Sequence, residues 1–62
     1  MNNTLKEALD FAIAKEREAE KFYRTWSDQV SNPAVKKLFS ELAETEREHA
    51  EKLSQITPGD LS

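Results

Sequence analysis

The sequence predicts an all-α fold, an antiparallel hairpin of two helices that dimerises into a four-helix bundle. Apolar residues recur every three to four positions along two long segments, and only a short connection carrying Asn32-Pro33 separates them. A lone hairpin of 62 residues buries little apolar surface, and without cysteine it has no disulfides. The chain, one domain over residues 1–62, therefore needs partner helices, a metal, or both.

Helix 1 is predicted from about residue 4 to residue 28. Thr4 and Glu7 have the spacing of a capping box, in which a hydroxyl caps the first turn and a glutamate three positions later bonds back. No glycine or proline interrupts the pattern before Pro33. The helix should therefore continue until the connection.

Helix 2 is predicted from about residue 33 to residue 56. Asn32 is a typical N-cap residue, and Pro33 suits the first helical position because its missing N–H needs no partner there. Pro58-Gly59 is a stop signal that leaves a short tail, residues 57–62. The connection is short enough to make the helices antiparallel.

Alternating steps of three and four give one stripe of positions on each helix. The fifteen positions of this seam are Leu5, Leu9, Ala12, Glu16, Ala19, Tyr23, Trp26 and Val30 on helix 1, and Val35, Phe39, Leu42, Glu46, His49, Leu53 and Ile56 on helix 2. Flanking apolar residues widen the stripes to the width that a four-helix bundle needs, namely Ala8, Ile13, Phe22, Leu38, Ala43 and Ala50. Within the seam, only Glu16, Glu46 and His49 are ionisable.

These three residues are predicted to lie at one depth in the hairpin. Glu16 lies fourteen positions before Val30, and Glu46 lies thirteen positions after Pro33. At about 1.5 Å per residue, both are roughly 20 Å from the turn. His49 follows one helical turn beyond Glu46 on the same face.

Two carboxylates and an imidazole in an apolar seam indicate a metal site. Burying unpaired carboxylates is costly, and the seam offers no lysine or arginine to pair with them. A second, symmetry-related hairpin would bring four carboxylates and two imidazoles into one layer, where two divalent cations balance the charge. Oxygen and imidazole ligands suit iron, manganese or zinc, and Glu with Glu-x-x-His is a dinuclear pattern of four-helix bundles.

Other interpretations stay open at this point. The hairpin can be a structural dimerisation module whose polar layer sets the register, or a non-redox Zn or Mn site. Tyr23 and Trp26 are interpreted as core aromatics. Glutamates elsewhere form a solvated face or an acidic funnel for cations, namely Glu18, Glu20, Glu44, Glu48 and Glu51. Their predicted surface counter-charges are Lys15, Arg17, Lys21, Arg24, Lys36, Lys37, Arg47 and Lys52.

Charge and hydropathy exclude several kinds of partner. The formal net charge is −3 and no basic run is present, which argues against nucleic acid. No stretch approaches the roughly 20 apolar residues that span a bilayer, and the start lacks the pattern of a signal peptide. The sequence predicts a cytoplasmic protein without a membrane partner.

Two segments resemble one repeat of the ferritin-like superfamily, closest to rubrerythrin-type and encapsulated-ferritin proteins. Residues 14–23, AKEREAEKFY, are similar to the first helix of that family, in which a ligand glutamate precedes a tyrosine by seven positions. Residues 38–50, LFSELAETEREHA, are similar to the second helix, with its Glu-x-x-His pair followed by alanine.

This resemblance implies a ferritin-like di-iron site and a ferroxidase activity. It implies that Glu16 is a terminal ligand, Glu46 a bridging carboxylate, His49 a terminal imidazole, and Tyr23 a hydrogen-bonding partner of the ligands. The same three ligands would be the catalytic residues, and two iron ions per dimer would be the cofactor. The chemistry implied is oxidation of Fe(II) by O2 or peroxide in iron storage or detoxification.

The departures from the family bear on its partners. Rubrerythrins carry both repeats and usually a cysteine-rich iron domain, whereas this chain has one repeat and no cysteine. Encapsulated ferritins use single hairpins, which implies a homodimer or a ring of dimers. Residues 58–61, PGDL, resemble tails that load cargo into encapsulin shells, and they are equally a helix stop signal. If residues 58–61 are a loading tail, the protein is located inside an encapsulin compartment.

Overall fold

The computed structural model describes residues 3–56, which form two packed helices without a strand. Helix α1 spans Asn3–Gln29 and helix α2 spans Pro33–Ser54. The three residues between them leave room only for an antiparallel return, so the predicted hairpin is confirmed. Neither helix in this part of the chain is long and apolar enough to cross a membrane. The predicted tail, residues 57–62, lies outside the described residues.

The caps of the two helices differ in how well the sequence predicted them. Asn3, the first described residue, is already helical, so Thr4 lies inside α1 and its predicted role as N-cap is wrong. Threonine can adopt helical backbone angles in the first turn of a helix, and the start of a helix is defined only to within one or two residues. At α2 the prediction is confirmed, because Asn32 is extended and its side chain accepts hydrogen bonds from the N–H groups of Ala34 and Val35 at 2.9 and 3.1 Å.

Helix α2 ends two residues before the predicted Ile56. The N–H of Gln55 is shared between the carbonyls of Glu51 at 3.2 Å and Lys52 at 3.3 Å, and the N–H of Ile56 bonds to the carbonyl of Leu53 at 3.1 Å. The bonding therefore changes from a span of four residues to a span of three, which tightens the last turn and ends the α-helical pattern.

The buried positions between the helices carry small side chains. Ala43 and Ala50 are completely buried, and Ser27 is 6% exposed. Small residues let two helices approach closely, whereas the seam residues Trp26 and Val35 keep 44% and 38% of their surface exposed. The line of closest contact therefore lies beside the predicted seam, and the seam itself faces partly outward.

The large apolar side chains left exposed lie mainly along one flank of the hairpin. Several of them directly precede a residue that is nearer the contact line, for example Trp26 before Ser27 and Leu38 before Phe39. One position is a rotation of about 100° around a helix, and in facing antiparallel helices the same sense of rotation leads to the same flank. We call this flank the apolar face; its residues are Phe22, Trp26, Val35, Leu38 and Ile56.

The opposite flank carries a chain of ion pairs. Arg24 joins the helices by contacting Glu44 at 3.3 Å, and it also contacts Glu20 within α1 at 3.1 Å. Arg47 contacts Glu44 and Glu51 within α2. These pairs are exposed and each contributes little to stability. A shallow groove on this flank of α1 is lined by Arg17, Glu20, Lys21, Arg24, Thr25 and Asp28.

Candidate metal centre

The hairpin brings together the three ionisable residues of the seam. One ligand atom from each of Glu16, Glu46 and His49 can be chosen so that all three atoms lie within 4.8 Å of one another. Glu16 comes from the middle of α1, while Glu46 and His49 come from consecutive turns of α2. The antiparallel return therefore places the three residues at one level, as the spacing predicted.

The side chains of this cluster are partly shielded from water. Glu16 and Glu46 are half-buried, and the Glu16 side chain keeps only 26% of its surface, against 49% for His49. The Oε2 atom of Glu16 is buried and has no hydrogen-bond partner. His49 Nδ1 approaches that oxygen to 3.3 Å, but the pair lacks hydrogen-bond geometry. A buried carboxylate oxygen without a partner needs a proton or a cation nearby.

The cluster favours a protonated carboxyl when no cation is bound. When protonated, Glu46 can donate a hydrogen bond to Glu16, which raises the pKa of Glu46 above its ordinary value, and partial burial and the negative charge of Glu16 raise it further. His49 opposes this shift through its positive charge when protonated. Two carboxyl groups this close resist carrying two negative charges, so one of them retains a proton to higher pH.

This pKa shift predicts how the metal-free protein responds to pH. The folded state holds the Glu46 proton more tightly than the unfolded state, so the stabilisation is complete below the ordinary pKa of 4.5. It is lost as the pH rises through the raised pKa. Without metal, Glu46→Gln should lose less stability than the parent between pH 4 and pH 7, as measured by urea unfolding. Parallel curves for the two proteins would contradict the shared proton.

The donor set fits a hard or borderline divalent cation. Two carboxylates and one imidazole suit iron, manganese or zinc, and a cation would satisfy the unpartnered oxygen of Glu16. His49 turns Nδ1 toward Glu16, so this nitrogen is the one placed to bind a metal. Three donors leave coordination positions open. Because His49 directly precedes buried Ala50, its side chain lies on the flank of the apolar face, where the cluster opens.

Two other residues singled out in the sequence lie toward the turn from the cluster. The ring of Tyr23 stacks on Phe39 with centroids 6.0 Å apart and meets Phe22 edge-on. No hydrogen bond within residues 3–56 joins its hydroxyl to the ligands, and its role beside them stays a prediction. The ring centroid of Trp26 lies 6.4 Å from that of Phe22 on the apolar face, and because Trp26 is 44% exposed it is not a core residue of the hairpin, contrary to the interpretation from sequence.

The acidic funnel considered from the sequence does not form as a group of free carboxylates. Glu18 pairs with Lys15 at 3.6 Å, and Glu20, Glu44 and Glu51 all pair with arginines on the far flank. These contacts confirm a solvated, paired surface for four of the five glutamates, whereas Glu48 is exposed and forms no ion pair within residues 3–56. Lys36 departs from its predicted role as a surface counter-charge, because its Nζ donates to the carbonyl of Ser27 at 2.6 Å.

Sequence reasoning missed the polar contact between the helices near the turn. Ser27 and Ser40 join their hydroxyls at 2.8 Å, although neither lies on the predicted seam. One signal was present: Ser27 lies four positions after Tyr23, so a step of four instead of three would have put it on the stripe. The apolar pattern instead favours Trp26 as the position that follows Tyr23 on the stripe.

Comparison with known proteins gave one match. The sequence model of the family described as Rubrerythrin matches residues 7–58, which include the whole cluster. In the same comparisons, no curated protein and no solved structure matched the chain.

Proposed function

The chain belongs to the rubrerythrin family, and on that premise we propose that two copies bind two iron ions between them and oxidise Fe(II). The family supports a di-iron, ferritin-like function. The observation that carries the proposal is the convergence of Glu16, Glu46 and His49 within 4.8 Å, with a buried carboxylate oxygen that lacks a partner. Storage or detoxification of iron is the role that this chemistry serves.

The incomplete donor set supports a site shared by two copies. One hairpin supplies three ligand residues, and they open on the flank that also exposes Trp26 and Leu38. A second hairpin placed on this face by two-fold symmetry covers the apolar surface and doubles the donors. The four carboxylates then balance two divalent cations. Burial of the apolar face supplies the association energy that a short hairpin needs.

The residues of the cluster would hold the ions and manage protons. When bound, two Fe(II) ions supply one electron each, and with two protons they reduce O2 to hydrogen peroxide or hydrogen peroxide to two waters. Glu16, Glu46 and His49 Nδ1 would hold the ions, and Glu46 is the better shielded of the two ligands on α2. Metal binding requires Glu46 to release the proton that its raised pKa retains, so affinity should increase with pH.

Aerobic and anaerobic iron titration of the purified protein tests this function. We expect two iron ions per dimer without oxygen, rapid oxidation when air is admitted, and a mass of at least a dimer. Binding of zinc with no oxidation of iron would instead support a non-redox site. A dimer that binds no metal would contradict the proposal and support a structural module.

The apolar face predicts a dimer that a single charge disrupts. Leu38 is 53% exposed in the hairpin and lies on this face, whereas neighbouring Lys37 points about 100° away. Leu38→Glu should produce monomers and weaken metal binding at least about tenfold, because it buries an unpaired charge in the interface. Lys37→Glu introduces the same residue at the adjacent position and should remain dimeric. Sedimentation and metal titration of both variants measure this; equal masses would contradict the assigned face.

A further inference from the structure

Ser27 has the most buried polar side chain in the described part of the chain. It is 6% exposed, and it lies in the last third of α1, facing the first turns of α2. Its hydroxyl donates to the carbonyl of Lys36 at 3.1 Å and contacts the hydroxyl of Ser40 at 2.8 Å. A buried hydroxyl with both partners on the other helix is fully satisfied by the helix pairing itself.

The hydrogen bonds of this contact have a defined order. A serine hydroxyl has one proton, so when Ser27 donates its proton to the Lys36 carbonyl, Ser40 is the donor to Ser27. In the reverse direction, Lys36 Nζ donates to the carbonyl of Ser27 at 2.6 Å. We call these three residues the serine clamp. It ties the end of α1 to the start of α2 through both main chain and side chains.

The serine clamp constrains a displacement that the other contacts allow. Apolar side chains can slide along a neighbouring helix, and the long Arg24–Glu44 pair at 3.3 Å can follow such a shift by changing rotamers. Hydroxyl hydrogen bonds are directional and weaken quickly when the donor and acceptor are displaced. A slip of one residue moves a helix by about 1.5 Å. Metal–ligand distances tolerate only about 0.2 Å.

We propose that the serine clamp is a positioning device that sets the axial register of the helices and thereby holds Glu16 level with Glu46. Ser27 lies eleven positions after Glu16, and Ser40 lies six positions before Glu46. Both helices are continuous over these intervals, so a shift at the clamp moves the ligands. This inference rests on the proposed function for its consequence, namely metal binding, but the register itself is a property of the metal-free hairpin.

Ser27→Ala and Ser54→Ala form a matched pair for the first test. Both remove one serine hydroxyl, but among residues 3–56 that of Ser54 bonds only to the Glu51 carbonyl within its own helix. Co(II) serves as a probe, because its visible absorption reports the coordination geometry. We expect Ser27→Ala to remain helical by circular dichroism, to bind Co(II) about tenfold more weakly, and to show an altered spectrum. Ser54→Ala should match the parent protein.

Two substitutions of Ser40, by threonine and by valine, form a second pair that differs mainly in the presence of the hydroxyl. Ser40 is exposed, so it has room for an added methyl group. Threonine and valine have nearly the same shape, but only threonine can donate to Ser27. Ser40→Thr should keep the parent affinity and spectrum, while Ser40→Val should shift toward Ser27→Ala. This pair decides the question if Ser27→Ala fails to fold.

A measurement without metal separates this inference from the proposed function. In the metal-free protein, nuclear Overhauser contacts between the side-chain protons of Glu16 and Glu46 report the distance between these side chains, and therefore whether they lie at the same height along the hairpin. We expect these contacts to weaken in Ser27→Ala and Ser40→Val and to persist in Ser54→Ala and Ser40→Thr. Unchanged contacts in all four variants would overturn the clamp, even if iron is oxidised. Weakened contacts in a protein that binds no metal would support the clamp and overturn only the function.

Discussion

Replacing Glu46 with glutamine is expected to lower the rate of Fe(II) oxidation about a hundredfold or more. Glutamine keeps the size of the side chain but binds metal poorly and cannot bridge two cations with a negative charge. Loss of a group that merely supports a ligand costs about 10- to 100-fold in metal affinity or activity, so loss of the ligand itself should cost at least as much. Stopped-flow absorbance after mixing with Fe(II) and air measures the rate.

The matched control for this substitution is Glu48→Gln. Glu48 is an exposed glutamate of the same helix, two positions beyond Glu46, and it lies outside the cluster. We expect it to oxidise iron at the parental rate. His49→Ala should resemble Glu46→Gln, because it removes the only imidazole donor of the chain. Similar rates in Glu46→Gln and Glu48→Gln would show that oxidation occurs elsewhere on the protein.

The parts of the fold that follow from local patterns were predictable from the sequence. The connection at Asn32 depends on one side chain and the two N–H groups that follow it, so its geometry is specified within four residues. Helix rise and the position of the turn place Glu16 and Glu46 at approximately the same level, which the contacts between the helices then set more finely. The rise and the turn position are both known before any packing is considered. The cluster was therefore found from spacing alone.

The contacts between the helices were less predictable because they depend on the relative rotation of two elements. The spacing gave the width of each apolar stripe but not which edge of it touches the other helix. Small residues determine which edge makes the contact, because the helices approach most closely at the completely buried Ala43 and Ala50, on one side of the stripe. The burial of Ser27 was not predicted for the same reason. A polar residue is not expected in an apolar stripe unless its hydrogen-bond partner on the other helix is known.

That rotation has a consequence for the site. By pairing along the line of Ala43 and Ala50, the helices turn part of the seam outward, including His49, whose side chain is 49% exposed, and Trp26 at 44%. A hairpin with its seam centred between the helices would enclose the three ligands and leave no room for further donors. The observed rotation leaves the cluster half-covered, as a centre completed by a second copy requires.

Addition of a binding metal is expected to raise the thermal unfolding midpoint sharply. The metal-free cluster holds two carboxyl groups against each other, and the pKa of Glu46 is raised as a result. A cation replaces that repulsion with attraction and binds only the folded state. At a free metal concentration a thousandfold above Kd, linkage contributes about 4 kcal/mol. For a domain of this size, each 1 kcal/mol shifts the midpoint by about 4–8 °C. Calorimetry with and without Zn(II), or Fe(II) under nitrogen, measures the shift.

Glu16→Leu separates this linkage from a purely structural polar layer. Leucine removes the half-buried carboxylate whose Oε2 lacks a partner, so both interpretations predict a more stable metal-free protein and tighter association. They differ when metal is added. A binding site that needs Glu16 predicts that the variant loses most of the metal-induced rise, so the parent overtakes it once metal is present. A register layer predicts that metal changes neither midpoint. Only a metal centre therefore explains the expected reversal, in which Glu16→Leu is more stable than the parent without metal and less stable with it.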